Sequence, residues 1–194
     1  MGSKSVDTCI IFDMDGVLID SRFAVEESYR MSGVKMPAGS WGKSWREWLP
    51  ETVGSFKKAV WVHEIKNIHY RHILPKYMKE LYPATLARGL IAEGAKCELI
   101  TAASREAAEL VLSLLELDMY ILDSAINGVP RRTRIARRSN QLHREFGIMP
   151  LYVDDDEKMC NRVAKFKNIQ GAINYTPKMS NEEFELKVRT AWSA

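Results

Sequence analysis

Several features that would place the sequence in a special class of protein are missing. No apolar run reaches the roughly 18 residues needed to span a bilayer, and no repeat of about 20 to 50 residues is visible. Only three cysteines, at positions 9, 97 and 160, occur in 194 residues, and their spacing is not that of metal ligands. We therefore expect neither a membrane-spanning chain nor a repeat array, and we expect buried free thiols in a reducing compartment.

The N-terminal residues lack the signals that would direct the chain to a membrane. Residues 1–7 are polar and lead directly into an apolar run, without the apolar core of a signal peptide. Val6 stands where a myristoylation signal needs Ser or Thr. We therefore predict a cytoplasmic protein without a membrane partner.

Composition and length are those of an ordinary globular protein. The 28 Lys and Arg residues against 25 Asp and Glu give a net charge of +3, and 46% of the residues are apolar. At about 150 residues per domain, the length predicts one domain with a sizeable insertion.

Short apolar runs that end in polar residues predict a parallel sheet. Residues 8–12 lead into Asp13-Met14-Asp15-Gly16, residues 96–101 end in Thr101, and residues 151–153 lead into three acids, with further candidate strands at 119–122 and 169–175. Helical patterns at 104–115, 133–146 and 158–166 alternate with these runs, as in an α/β fold. Because ligands bind beyond the carboxyl ends of parallel strands, we expect these polar residues to share one edge of the sheet.

A helical insertion interrupts this alternation. Its helices are predicted at about 23–31, 40–48 and 55–82, with Pro50 and Pro75 among the predicted breaks. The predicted domains are an α/β core formed by 1–21 and 82–194 and a helical cap formed by 22–81. Tryptophans at 41, 45 and 48 predict one stripe of a cap helix, which favours packing in the cap core over a wall of the substrate pocket.

Asp13 and Asp15 lie two residues apart just after a buried strand. In an extended chain such side chains share a direction, and two repelling carboxylates at one place are relieved by a divalent cation. Oxygen ligands without a nearby His or Cys favour Mg²⁺ over zinc. One Asp can then attack a phosphoryl group while the other exchanges a proton with the leaving group and water. Gly16 permits a tight turn beside the ligand.

These residues resemble a known family. The run Ile10–Ser21 closely resembles the first motif of the haloacid dehalogenase-like (HAD) hydrolases, an apolar strand followed by Asp-x-Asp-Gly. Residues 99–103 are similar to the second motif, a strand ending in Ser or Thr, and residues 152–155 to the fourth, a strand ending in paired acids. The order of the motifs and the place of the insertion also match. The resemblance implies a Rossmann-like α/β core with a parallel sheet, flanking helices and a helical cap.

The resemblance implies a catalytic role for each matching acid. Asp13 would be the nucleophile that forms an aspartyl-phosphate, and Asp15 would be the general acid and base. Mg²⁺ would be held by the Asp13 carboxylate, the main-chain carbonyl of Asp15 and Asp155, with Asp154 supporting the metal shell. Apart from the resemblance, acids that follow a strand are also typical of turns and of the first turn of a helix.

The resemblance also implies residues that bind the phosphoryl group. Thr101 would donate a hydrogen bond to a phosphoryl oxygen, with help from main-chain N–H groups nearby, for which Gly16 and Ala102 are the candidates. Without the resemblance, the Thr101 hydroxyl would be interpreted as capping the next helix.

The third motif of the family departs from its usual form here. The family has a Lys upstream of the paired acids, but no Lys occurs between residues 123 and 157. Arg132, directly before Thr133, matches the motif best, and Arg131 and Arg134 are the alternatives. A guanidinium can pair with phosphate through two hydrogen bonds, so the replacement is chemically workable.

A basic segment surrounds this motif. Six arginines against one glutamate between residues 124 and 150 give a local charge of +5. This is typical of a solvated helix face, of a funnel for an anionic substrate, or of a contact with nucleic-acid phosphates.

Together the motifs predict a Mg²⁺-dependent phosphatase acting on a small phosphorylated substrate: a nucleotide, a polynucleotide end or a sugar phosphate. A phosphomutase is one alternative. The other is a non-catalytic HAD-like module that binds a nucleotide or RNA through its arginines. The sequence does not set an oligomeric state.

Overall fold

The structure is a computed structural model that describes residues 8–41, 43–122 and 129–192. Its strands are β1 (Cys9–Phe12), β2 (Ile19–Asp20), β3 (Lys79–Glu80), β4 (Lys96–Leu99), β5 (Tyr120–Ile121), β6 (Leu151–Asp154) and β7 (Gly171–Asn174). Its helices are α1 (Arg22–Met31), α2 (Trp45–Val53), α3 (Phe56–Tyr77), α4 (Tyr82–Ala92), α5 (Arg105–Leu114), α6 (Arg131–Phe146), α7 (Glu157–Val163) and α8 (Asn181–Trp192). In these ranges, no helix combines the length and the apolar character needed to cross a membrane.

Five strands form one parallel sheet in the order β5-β4-β1-β6-β7. Phe12, the last residue of β1, pairs with Leu99 on one side and with Val153 on the other, so three strands end at the same edge. All four residues of β1 and the first three of β6 are buried and apolar, which is why these sequences are continuous runs rather than alternating ones, and the fourth buried residue of β6 is Asp154. The predicted α/β fold is confirmed.

The chain divides into two compact units. The helical unit is Asp20–Lys79 and contains α1, α2 and α3. The sheet unit contains the described residues up to Ile19 and from Glu80 onward. The helical unit covers nearly the same residues as the predicted cap, but its role as a cap stays a prediction.

The helical unit has its own core, formed by Tyr29, Trp48 and Leu49 with Val34, Ala59 and Val62. Ser44 and Glu47 form a reciprocal capping box, so α2 begins only at Trp45. Trp41 therefore precedes the helix, and the prediction of one stripe of three tryptophans was wrong. The packing interpretation holds for Trp48, which is buried against the edge of the Tyr29 ring.

Two features of the helices differ from the sequence prediction. Pro50 and Pro75 lie inside α2 and α3 instead of ending them. A proline removes one main-chain donor, and the neighbouring Leu49 and Leu74 are fully buried, which holds each helix in place. The C-terminal helix α8 was not predicted; it packs in the sheet unit through the buried Phe184.

The three cysteines are buried free thiols, as predicted. Burial is the main cause of the raised pKa of Cys97 and Cys160, about 12 in each case. The thiols are thus protonated packing groups rather than nucleophiles.

Candidate active site

Polar residues gather where β1, β4 and β6 end. Asp13 directly follows β1, and its main-chain N–H donates to the carbonyl of Val153 at 2.9 Å. Asp154 is the last residue of β6, and Thr101 lies two residues beyond the end of β4. The ladder continues past β4, because the N–H of Ile100 donates to the carbonyl of Phe12 at 2.8 Å. The parallel register therefore brings side chains that are far apart in sequence to one edge.

A tight turn follows Asp13 and depends on glycine. Gly16 has a φ of +83°, and a Cβ at this position would overlap the carboxylate of Asp155. The N–H of Gly16, a predicted phosphate donor, donates to the carbonyl of Ile19 at 2.8 Å. Asp15 lies half-buried in the same turn and forms an isolated bridge with Ile19. Glycine is needed here for backbone conformation and for the close approach of Asp155.

Three carboxylates form a compact cluster. One oxygen each from Asp13, Asp154 and Asp155 lie within 4.8 Å of one another. Asp13 and Asp154 are buried, and Asp155 is the most open of the three. Burial raises the pKa of Asp13, and the neighbouring charges of Asp154 and Asp15 add to this effect, while Arg131 opposes it. Burial, followed by the charge of Asp154, raises the pKa of Asp155 to about 6. The cluster therefore needs positive charge to stay ionised.

Arg131 supplies one such charge from the first residue of α6. Its Nη1 lies 2.7 Å from Oδ2 of Asp13, and its Nη2 lies 3.0 Å from Oδ2 of Asp154. Burial alone lowers the pKa of Arg131, but the charges of Asp13 and Asp154 outweigh burial and raise it. The guanidinium is a permanent cation that bridges carboxylates on two neighbouring strand ends.

The inward face of α6 carries three arginines at positions i, i+3 and i+7. After Arg131 comes Arg134, which is buried and donates from Nη2 to the main-chain carbonyl of Thr101 at 2.9 Å. Arg138 comes next, and its Nε donates to Oε2 of the fully buried Glu98 at 2.8 Å. The exposed arginines of the basic segment are Arg132, Arg137 and Arg144. Half of the basic segment thus stabilises the sheet unit instead of facing solvent.

The arginine that contacts the acids is not the one that the sequence favoured. Arg132 was preferred, but its guanidinium lies about 6.0 Å from the ring centre of Phe166 and is exposed. Arg131 contacts the acids instead. Successive residues on a helix point about 100° apart, so only one of two adjacent arginines can face the cluster.

The loop after β4 carries Thr101 and Ala102, the residues predicted to bind the phosphoryl group. Oγ1 of Thr101 accepts a hydrogen bond from the N–H of Ala103 at 3.0 Å, so its own proton can be donated to a ligand. Ala102 is exposed in the same loop. Ser104 caps α5 by accepting from the N–H of Ala107 at 3.3 Å.

Comparison with known proteins supports the resemblance seen in the motifs. No family model matches the chain. A relative from Caldanaerobacter subterraneus, named "Putative pyrophosphatase PpaX", is 33% identical over 124 residues, which are 58% of this chain and 55% of that protein. The chain therefore spans about half the length of the curated relative that it matches.

Solved structures extend the likeness to nearly the whole chain. A HAD-superfamily hydrolase of subfamily IA from Geobacter sulfurreducens gives a TM-score of 0.63 at 20% identity, covering 96% of this chain and 97% of that one. The chain has the HAD-like fold. A structure from Lactobacillus delbrueckii, described as a "putative phosphoglycolate phosphatase", gives a TM-score of 0.67 at 14% identity, covering 94% and 98%.

On this HAD-like fold, the motif residues fall at the ends of adjacent strands. The structure brings together Asp13, Asp154 and Asp155. Thr101 contacts helix α6, which also carries Arg131, because its main-chain carbonyl accepts a hydrogen bond from Arg134.

One residue that contacts the cluster, Tyr152, was not predicted from the sequence. The hydroxyl of Tyr152 donates to Oδ2 of Asp154, and the ring is fully buried. Burial raises the pKa of this phenol, which keeps it a proton donor. The available signal was the spacing, because residues two apart on a strand point to the same face.

Proposed function

We propose that the chain is a Mg²⁺-dependent phosphomonoester hydrolase that acts through an aspartyl-phosphate on Asp13. The observation that carries the proposal is the cluster of Asp13, Asp154 and Asp155 within 4.8 Å, bridged by Arg131 at the sheet edge. The names of the similar proteins, a pyrophosphatase and a phosphoglycolate phosphatase, support the same class of chemistry.

The donor set fits Mg²⁺. The cluster offers only carboxylate oxygens, the ligands that this ion prefers, and repulsion among the acids favours a bound cation. The Asp13 carboxylate, Asp155 and the main-chain carbonyl of Asp15 would hold it. When bound, the ion neutralises charge on the acids and polarises the phosphoryl oxygens.

Asp13 is the nucleophile in this proposal. Its carboxylate oxygen attacks the phosphorus of the ester while the bond to the leaving oxygen breaks, which leaves a phosphoryl group on the aspartate. Arg131 lowers the pKa of Asp13 against the effect of burial, which favours its ionised form, and fixes its orientation through the 2.7 Å contact. The same guanidinium stabilises negative charge on the transferring group.

Asp15 serves as acid and then as base. It gives a proton to the departing alkoxide, so the first product leaves as an alcohol. Asp15 then takes a proton from a water molecule that attacks the phosphoryl group. The bond between phosphorus and Asp13 breaks, and inorganic phosphate is released with both aspartates restored.

Thr101 and its loop bind the phosphoryl oxygens. The Thr101 hydroxyl donates one hydrogen bond, and the N–H of Ala102 offers a second donor. Arg134 holds the Thr101 carbonyl and thereby fixes the loop relative to Arg131 on the same helix.

The helical unit, inserted after the first motif, is proposed to act as the cap that selects the substrate. We propose a small phosphate ester, such as a nucleotide, as that substrate. The inward turn of Arg131, Arg134 and Arg138 leaves fewer arginines for an RNA surface and favours this proposal over the binding module.

The decisive test is turnover of p-nitrophenyl phosphate, with nucleotides and sugar phosphates as a second panel. We expect Mg²⁺-dependent activity that is lost with a chelator and in Asp13→Asn. Asp118→Asn, an exposed site outside the cluster, is the matched control and should retain full activity. Absence of Mg²⁺-dependent turnover across the panel contradicts the proposal. Transfer of the phosphoryl group to a sugar phosphate instead of water identifies a phosphomutase.

A further inference from the structure

Asp154 is held from several directions. Its Oδ2 accepts from the Tyr152 hydroxyl and pairs with Nη2 of Arg131 at 3.0 Å. Its Oδ1 accepts from the main-chain N–H of Asp156 at 2.9 Å. A carboxylate with donors on both oxygens has one orientation, and hydrogen bonds to a charged acceptor are the stronger kind.

Tyr152 is itself immobile. Its ring is fully buried in the apolar cluster that lies between the sheet and two helices, with Ile11, Ile135 and Val163 among its members. Phenylalanine would fill the same apolar space. A buried phenol hydroxyl needs a polar partner, and Asp154, on the same face of the strand, is that partner.

Arg131 depends on this arrangement because of its shape. A guanidinium is a planar fork on a long, flexible stem, and it is oriented only when separate N–H groups meet separate acceptors. Nη1 meets Asp13 and Nη2 meets Asp154. Without a fixed Asp154, only the contact to Asp13 would orient the fork.

We propose that Tyr152 is a positioning residue: its hydroxyl holds Asp154, and Asp154 holds Arg131 against Asp13. Asp154 thus acts on the reaction through Arg131. The inference deepens the proposed function and rests on it for its kinetic readout. A second readout does not need turnover.

The kinetic test is Tyr152→Phe, which removes one oxygen. Because one hydrogen bond to a charged group is lost, kcat should fall roughly tenfold, while KM and the Mg²⁺ concentration for half activation change by less than about twofold. The control is Tyr82→Phe, since the Tyr82 hydroxyl donates to Glu185 at 2.6 Å elsewhere in the sheet unit. Its kcat should equal that of the wild type. An unchanged kcat in Tyr152→Phe, or a matching rise in the Mg²⁺ requirement, overturns the proposal.

A double-variant cycle separates positioning from general packing. Asp154→Asn keeps the shape of the side chain and weakens the pair with Arg131. If Tyr152 acts through Asp154, adding Tyr152→Phe to Asp154→Asn produces no further fall in kcat. Full additivity of the two effects contradicts the proposed order.

The second readout is NMR of the arginine side chains. A guanidinium held by two acceptors rotates slowly and gives separate Nη–H signals. We expect the Arg131 signals to merge or broaden in Tyr152→Phe, while those of Arg138, held by Glu98, stay unchanged. Unchanged Arg131 signals overturn the inference. If the Arg131 signals change in Tyr152→Phe but the wild-type protein hydrolyses none of the substrates, the inference about Tyr152 stands and only the proposed function is contradicted.

Discussion

Replacing Arg131 by methionine is the sharpest test of the site, because it removes the charge and keeps most of the stem. The variant leaves the carboxylates of Asp13 and Asp154 buried and facing one another without their bridging cation. Removing one partner of a buried ion pair destabilises a protein by about 3 to 5 kcal/mol. Protonation of Asp13 reduces this loss of stability, since burial already raises the pKa of Asp13. We therefore expect the lower end, about 3 kcal/mol at neutral pH.

The effect on catalysis should be larger than the effect of any neighbouring arginine. Loss of a preorganised group that stabilises transition-state charge lowers the rate about 100-fold to 1,000-fold. We expect a fall of this size in kcat/KM for p-nitrophenyl phosphate, at saturating Mg²⁺. Urea unfolding of the same preparation supplies the stability change.

The matched control is Arg132→Met, one residue further along α6 and exposed. It should lose less than about twofold in kcat/KM and less than about 0.5 kcal/mol of stability. Equal losses in the two variants, or near-normal activity in Arg131→Met, would refute the assignment of Arg131. The losses of Arg131→Lys should lie between those of the two variants, because a single ammonium group replaces a guanidinium whose N–H groups reach two acceptors.

Three further predictions concern the turn, the acids and the loop. Gly16→Ala should abolish Mg²⁺-dependent activity because its Cβ would displace the Asp155 carboxylate. The control is Gly94→Ala, which has a similar positive φ but no atom close to the added Cβ, so it should lose only stability. Measurements of kcat and Tm for both variants check this prediction. The rise in Tm on adding Mg²⁺ should be larger at about pH 7.5 than at about pH 5. The pKa of Asp13 is raised and that of Asp155 is raised to about 6, so the metal-free fold binds protons more tightly than the unfolded chain and its stability falls as pH rises. At the lower pH, protons compete with Mg²⁺ for the same carboxylates. An equal increase in Tm at both pH values would contradict this prediction. Arg134→Met should raise KM for the phosphate ester more than it lowers kcat, as initial rates would show, because it frees the loop after β4; unchanged KM would argue against a positioning effect.

The strands and the acids at their ends could be predicted from the sequence because both depend on local composition. A run buried on both faces is apolar along most of its length, and the buried acids Asp13 and Asp154 mark the sheet edge at which the apolar residues end. The start of α2 also had a local signal, the Ser44 and Glu47 capping box, which outweighs the apparent spacing of the tryptophans.

The choice between Arg131 and Arg132 could not be made from local composition. It depends on the residue at which α6 begins, and a shift of one residue rotates the side chain by about 100°. Helix α8 was missed for a related reason. Only Phe184 and Val188 of α8 are buried, and the exposed Leu186 between them blurs the apolar stripe in the sequence.

Arg131, which we propose takes the place of the family's lysine, fits the geometry of this particular edge. Asp13 and Asp154 stand on neighbouring strands, β1 and β6, and each presents its Oδ2 to a different nitrogen of one guanidinium. A lysine ammonium is a single point of charge, and it would hold the two acids less rigidly. The fork in turn needs the second acid fixed, and the Tyr152 hydroxyl fixes it. The phenol, the second acid and the arginine therefore form one unit, and a change in any of them should weaken the contact with Asp13.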